Sequence, residues 1–268
     1  MEAFLSYGFL QRALLAGLFV AVACAILGLF LLLRRDAMIG HGLAHVTFGG
    51  VALGLFLTVF PLGTALLTAV LASWGIMKLR QKAGLHGDMA IGIFSSVGLA
   101  LGIVLATVAQ RFNVDLLSYL FGDILAIGSV EVWLSTGLAA AVLLAILANY
   151  HRLMFLAFDP QAAKAAGVKT DRLDLLLTIL TSVTVVLGMK VVGILLVSAL
   201  LVIPAAASLQ LAASFKQALW ISSLVAFFSV VVGLIGAFFL NLPASATIVL
   251  MSFLIFIAAF LVGRKRLF

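Results

Sequence analysis

The sequence predicts an all-α, polytopic integral membrane protein with about nine transmembrane helices, eight being the alternative. Hydrophobic residues make up 65% of the 268 positions and charged residues only 9%, whereas soluble domains carry about 25% charged residues. Several uncharged stretches are long enough to cross a bilayer, which takes about 20 apolar residues in a helix. They are continuously apolar and rich in Leu and Ala, without the alternation typical of a membrane barrel.

Charges and prolines divide the chain into individual spans. The uncharged stretch 37–77 is long enough for two helices and should break near residues 61–63, and the stretch 217–263 should break at residues 241–243, where prolines occur. The third span, residues 62–77, and the sixth, residues 173–189, are short, which leaves eight helices as the alternative. The predicted spans are residues 13–33, 38–60, 62–77, 89–110, 132–150, 173–189, 191–213, 217–240 and 244–263.

The distribution of basic residues predicts the orientation of these spans. With nine helices, thirteen Lys and Arg residues fall on one side of the membrane, and only Arg12, Arg111 and Lys190 fall on the other. Basic residues accumulate in cytoplasmic loops, so we expect the N-terminus outside and the C-terminus in the cytoplasm. We also expect residues 1–268 to form a single transmembrane domain.

Composition excludes several other classes of protein. The one cysteine, Cys24, lies in an apolar run, so neither a disulfide framework nor a cysteine metal site is available. The net charge is +7, but no basic tract is long enough to hold a nucleic acid. The positive net charge therefore reports the membrane topology, and we expect membrane lipid to surround the protein.

The largest loop on the basic side, about residues 151–172, contains a predicted short helix. Asp159 is placed to cap a helix that starts at Pro160, since proline is favoured at the first helical position. Gly167 is placed to end it. The Ala-rich surface suits close packing into a groove of a partner protein, and the alternative is an ordinary capped loop helix.

Two histidines in the second predicted span are candidates for handling a cation. His41 and His45 are four residues apart and so share one helix face, where two imidazoles can bind one divalent ion. Polar side chains in a span are costly and usually face a cavity or a pathway, although each could instead hydrogen-bond a neighbouring helix. A zinc protease would need Glu after the first His, and Gly42 stands there.

Several segments together resemble one protein family. The run Gln-Ala-Ala-x-x-x-Gly at residues 161–167 resembles the EAA-x-x-x-G coupling helix of the permeases of ABC importers. Residues 34–45, 114–123 and 189–206 resemble the zinc, manganese and iron(II) branch of that family, most closely the ZnuB-type zinc uptake permeases. The resemblance covers nearly the whole chain, with the motifs in the expected order.

The resemblance implies a multi-pass permease in the cell membrane of a prokaryote. It implies a homodimer that binds two cytoplasmic ATPase subunits and receives metal from an extracytoplasmic metal-binding protein. The chain itself would have no catalytic residues and no permanently bound cofactor, and it contains no Walker motif for ATP. The residues expected to couple to the ATPase are Phe158, Asp159, Pro160, Gln161, Ala162, Ala163 and Gly167.

The resemblance also implies a cargo, which is a divalent metal ion. His45 matches the family pattern, whereas His41 stands where the family has Asp. An imidazole in place of a carboxylate favours Zn²⁺ over Mn²⁺. Zinc is therefore the expected cargo, with manganese and iron(II) as alternatives.

Acidic residues mark a predicted outer mouth. The segment 111–131 carries Asp115, Asp123 and Glu131, and an acidic mouth raises the local concentration of cations. By resemblance, Asp123 lies near an outer gate, and the alternative is that it caps a helix. Lys190 stands between two predicted spans and could pair with Asp123 or extend towards the headgroups.

Pro204 falls inside the seventh predicted span. A proline there is expected to kink the helix and to leave carbonyl groups free for a neighbour or water.

Three other functions compete with an ATP-driven metal importer. A secondary transporter or channel would work alone, but the spans lack paired carboxylates for proton coupling. An intramembrane metalloenzyme would need a third clear ligand beside the two histidines. An ABC importer of a siderophore or cobalamin keeps the architecture, yet two histidines within a span favour a bare ion.

Overall fold

The apolar stretches form long helices throughout the part of the chain that the structure, a computed structural model, describes. Residues 8–83, 87–108, 122 and 128–264 are described. In chain order the helices are α1 (Gly8–Leu33), α2 (Met38–Phe56), α3 (Pro61–Ala83), α4 (Gly87–Val108), α5 (Ser129–Ala148), α6 (Tyr150–Phe158), α7 (Pro160–Ala165), α8 (Thr170–Val192), α9 (Ile194–Leu211), α10 (Phe215–Leu240) and α11 (Ala244–Arg264).

The number of spans agrees with the prediction. Within the described ranges, eight helices are long and apolar enough to cross a membrane, and the bent pair α5 and α6 would make a ninth. The two segments of that pair meet at an angle of 70°. The pattern of continuous apolar stretches therefore predicted the fold class correctly.

The expectation that the third and sixth spans are short was wrong. Helices α3 and α8 each contain 23 residues. Both continue beyond the uncharged stretch, because charged side chains such as Arg80 and Asp174 occupy helical positions at one end of the bundle. Long charged side chains at a helix end can reach the headgroup region while the backbone stays helical.

Helix α2 lies at the centre of one group of packed helices. Most of its residues are buried, and it packs against α3 and α4. Its glycines permit close approach, since a Cβ atom at Gly98 of α4 would lie 2.7 Å from the Cα of Val46. Gly50 and Gly54, spaced for close helix packing, face Thr64, Thr68 and the start of α3.

Helix α1 lies at the centre of a second group of packed helices. It packs against α9 and α10 and also contacts α5 and α8. Its Phe30 is fully buried, and its Ala25 carbonyl accepts a hydrogen bond of 3.1 Å from the Ser222 hydroxyl of α10. The structure thus contains two packed groups of helices that both contact α8. One group holds α2 with its two histidines, and the loop that precedes α8 adjoins the other.

The helix breaks occur close to where prolines and turn residues predicted them. Pro61 begins α3, and Asn241 ends α10 with a left-handed backbone (φ 51°). Gly193, with a φ of 87°, separates α8 from α9. Lys190 therefore lies in the last turn of α8, and the expectation that it stands between two spans was wrong.

Candidate functional site

The two histidines of α2 lie against each other. Their Nε2 atoms are 3.2 Å apart, and the rings meet edge to face with centroids 4.7 Å apart. The prediction that the spacing places them on one face is confirmed. With a suitable pair of tautomers, one Nε2–H donates to the other Nε2.

This separation suits two ligands of one metal ion. Two nitrogens at about 2.0–2.1 Å from a tetrahedral zinc ion lie about 3.3 Å from each other. Within the described ranges, no group of three or more His, Cys, Asp or Glu side chains could hold a metal ion. The described residues of this chain therefore offer the two histidines as candidate ligands.

The histidines occupy an exposed edge of an otherwise buried helix. Met38 and His41 are exposed and His45 is half-buried, whereas the neighbouring Gly42, Leu43 and the residues further along α2 are mostly buried. Helix α2 rises about 1.5 Å per residue, so His45 lies about 10 Å from the helix start. The pair thus lies on an exposed surface of the chain within the first turns of a candidate span.

The loop between α5 and α8 forms a capped short helix, and Phe158–Gly167 is called the docking segment here after the role that the sequence predicts for it. The Asp159 carboxylate accepts a hydrogen bond of 2.9 Å from the Ala162 backbone N–H, and Pro160 occupies the first turn. Gly167 follows the helix with a φ of 81°, and the next residue, Val168, donates to the Ala163 carbonyl at 3.0 Å. The predicted cap and the predicted end of the helix are both confirmed.

The docking segment is anchored on one side and exposed on the other. Ala163 is fully buried, whereas Gln161 and Lys164 are exposed. The ring of Phe158 packs on that of Phe215 at 5.8 Å between centroids. Sequence reasoning missed Phe215, which also contacts Phe30 and Tyr150 and so joins the docking segment to α1 and α10.

The structure adds an ion-pair network that the sequence did not reveal. Arg34, just after α1, pairs with Asp174 of α8, and its Nε lies 3.9 Å from the Asp36 carboxylate. The Arg80 guanidinium of α3 donates to Asp36 at 2.9 Å. These side chains are 13 to 32% exposed, so the network is partly shielded from water. It joins the start of α2 to the helix that follows the docking segment.

Breaking this network should destabilise the protein. We expect Asp174→Asn to lower the free energy of unfolding by about 2 kcal/mol, because it leaves the Arg34 charge partly buried with one carboxylate fewer. Detergent-purified protein titrated with a denaturing detergent would measure the change. Asp88→Asn, at an exposed position in the first turn of α4 and outside the cavity that the network lines, is the control and should cost less than about 1 kcal/mol.

A double-mutant cycle separates the pair from its surroundings. Arg34→Gln combined with Asp174→Asn should cost less than the sum of the two single changes, by roughly 1 kcal/mol or more. Strictly additive effects would contradict a direct interaction between these side chains.

The predicted outer mouth is only partly visible. Asp115 and Asp123 lie outside the described residues. Lys190 is half-buried at the end of α8 opposite the Arg34 network. Pro204 is buried within α9, and the helix continues past it from Ile194 to Leu211.

These features define a class of protein, a multi-pass helical membrane protein with an exposed histidine pair and an anchored docking segment. Comparison with known sequences identifies the family. Residues 6–263 match the model of the ABC 3 transport family, and the chain belongs to that family.

The relatives are close over nearly their whole length. The manganese import system permease protein ScaB of Streptococcus gordonii is 35% identical over 260 residues, which cover 97% of this chain and 93% of that protein. The manganese transport system membrane protein MntC of Halalkalibacterium halodurans is 32% identical over 98% of this chain and 90% of its own length. In the solved structure of PsaBC from Streptococcus pneumoniae in complex with Fab, one chain superposes with a TM-score of 0.87 and 33% identity, covering 97% of this chain and 93% of that chain.

Family membership settles the general role of the chain. It is a multi-pass permease subunit of an ABC-type divalent metal importer in a prokaryotic plasma membrane, and a partner chain hydrolyses the ATP. The expected resemblance to zinc permeases in particular is not supported, since these two relatives are named for manganese.

Proposed function

We propose that His41 and His45 hold the divalent metal ion during its passage through this permease. The observation that carries the proposal is the 3.2 Å separation of their Nε2 atoms on an exposed edge of α2. That distance matches two ligands of a single tetrahedral ion. Polar side chains in a span usually face a pathway, and no other described helix presents such a pair.

The exposure of the pair supports a homodimer. Imidazoles that face hydrocarbon are energetically costly, so we expect another protein surface to pack over an exposed pair within a span. A second copy of the chain would provide that surface, and its own pair could complete the coordination of the ion. In this arrangement residues 1–268 act as one transmembrane domain, and the ion passes between the two copies.

The end of the bundle that carries Arg34, Arg80 and the docking segment would face the cytoplasm. Its basic residues follow the rule for cytoplasmic loops. Two ATPase subunits would dock there, one on each copy of Phe158–Gly167, and an extracytoplasmic metal-binding protein would deliver ions at the opposite end. Asp115, Asp123 and Lys190 would shape the mouth at that end, and Pro204 would give α9 a flexible point during alternating access.

Two metals are candidates for the cargo. Neutral imidazole ligands favour zinc over manganese, because manganese prefers oxygen ligands. The names of the two relatives favour manganese as the second candidate. The donor set belongs to this chain itself, and we therefore propose zinc as the preferred ion.

Uptake into proteoliposomes tests the proposal. We expect ATP-dependent zinc uptake when the permease is reconstituted with its ATPase and metal-binding protein, and excess zinc should suppress manganese uptake more than the reverse. Stronger competition by manganese would establish the second candidate. Metal flux through vesicles that contain this chain alone, without ATP, would contradict the importer and support a stand-alone transporter.

A further inference from the structure

A basic cleft lies beside the docking segment, at the level where the chain bends from α5 into α6 and the candidate span α8 begins. Its volume is about 670 Å³. Helix α5 stops at Ala148 and α8 begins at Thr170, so the cleft occupies the depth where hydrocarbon gives way to headgroups. The lining includes Asn149, Arg152, Lys169, Arg172, Leu173 and Leu176.

The charges of the cleft are all positive. Arg152, Lys169 and Arg172 are exposed, and no carboxylate lines the cavity. Among the described residues, none of the three forms an ion pair, whereas Arg34 and Arg80 at the same end of the bundle do. Three unneutralised cations around one concave surface attract an anion.

The surroundings of the cleft favour a lipid over a soluble anion. Leu173 and Leu176 give it an apolar side, and Leu144 and Leu147 are largely exposed on the last turns of α5, just before Asn149. These leucines offer a surface for an acyl chain that continues towards the bilayer centre. The Asn149 side chain donates to the Ala145 carbonyl at 3.0 Å, which leaves its own oxygen as an acceptor for a headgroup hydroxyl.

We infer that this cleft binds the phosphate headgroup of an anionic phospholipid, with the acyl chains against α5. Basic pockets between helices at this face of a membrane protein suit such headgroups. Ala166 and Gly167 of the loop also line the cleft. A bound lipid therefore contacts the end of the docking segment and adjusts how firmly that segment is held. The inference goes beyond the proposed function and does not depend on which metal is carried.

Native mass spectrometry of the purified chain tests lipid binding directly. We compare phosphatidylglycerol with phosphatidylcholine of the same acyl chains. The preference for phosphatidylglycerol should fall about fivefold for each cation removed, so about 25-fold in the double variant Arg152→Gln with Arg172→Gln. The control is Lys82→Gln with Lys216→Gln, which removes two exposed charges at the same end of the bundle but away from the cleft.

Three results would overturn the inference. The first is an equal loss of preference in the control, which would make the attraction a general effect of net charge. The second is displacement of the lipid by inorganic phosphate at equal concentration, which would mean that the acyl chains contribute nothing. The third is a cleft variant that keeps its preference for phosphatidylglycerol but no longer binds the ATPase in lipid-free detergent. This result would assign the cleft to the partner protein.

A functional arm uses the permease with its ATPase in nanodiscs. ATP hydrolysis should respond to the fraction of phosphatidylglycerol in the native chain and in the control, and this response should be lost in the cleft variant. A response of the same size in all three proteins would contradict a lipid effect on the docking segment. Metal uptake is not the readout, so failure of the histidine proposal leaves this result interpretable.

Discussion

Replacing either histidine of α2 by alanine should reduce ATP-dependent metal uptake to the background level. Each change removes one of the two nitrogen atoms whose 3.2 Å separation fits a shared ion. Loss of a group that merely supports a metal ligand already costs 10–100-fold in affinity, so loss of the ligand itself should cost about 100-fold or more. Uptake of radioactive zinc and manganese into proteoliposomes with the ATPase and the metal-binding protein measures the effect.

The matched control for the histidine variants is Thr107→Ala. Thr107 is also a polar residue on an exposed position of a span, but its hydroxyl donates at 2.8 Å to the Ile103 carbonyl of its own helix. This variant should transport normally. Wild-type uptake in both His41→Ala and His45→Ala would instead assign the pair a structural role.

The His41→Asp variant extends this test to metal selection. It replaces a neutral nitrogen ligand with an anionic oxygen ligand, which manganese prefers. Uptake should persist in this variant, with the competition between the metals shifted towards manganese. An unchanged competition would mean that His41 does not contact the ion.

Gly167→Val should abolish transport while the protein remains folded in the membrane. Gly167 adopts a φ of 81°, where a β-branched residue is strained by roughly 1–2 kcal/mol. No heavy atom lies within 4 Å of the position of an added Cβ, so the cost at that atom is backbone strain in the docking segment and not a packing clash. ATP hydrolysis by the reconstituted complex and metal uptake would both be measured.

The matched control for this change is Gly167→Asn. Asparagine tolerates the left-handed backbone, so this variant should retain most of the transport activity with nearly the same side-chain bulk. The unfolding temperature of both variants in detergent should stay close to that of the native chain. Normal uptake by Gly167→Val would contradict a role of this segment in coupling to the ATPase.

The parts of the fold that depend on local chemistry were predictable from the sequence. Pro61 and Asn241 mark helix breaks because one lacks a backbone N–H and the other readily adopts a left-handed conformation. The cap at Asp159 and the turn at Gly167 follow from the same kind of local preference. The contact between His41 and His45 follows from the helical period alone.

Features that depend on tertiary structure were not predictable in this way. The Arg34–Asp174 pair joins residues 140 positions apart, and no pattern in either segment specifies the partner. The sequence predicts a loop where α6 forms, because His151 and Arg152 end the apolar stretch. In the structure, Leu153 and Leu156 are buried while His151 and Arg152 are exposed, and this amphipathic pattern is what the count of apolar residues overlooked.

The contact between the two histidine rings has a consequence for how an ion is loaded. A hydrogen bond between two Nε2 atoms requires that one ring carries its proton on Nε2 and the other on Nδ1. When both Nε2 atoms bind a metal, both neutral rings must carry their protons on Nδ1. In the proposed role, arrival of an ion would therefore exchange one ring between tautomers without changing the charge of a neutral pair, and its departure would restore the hydrogen bond. The hydrogen bond thus satisfies one polar group of the pair within the protein itself.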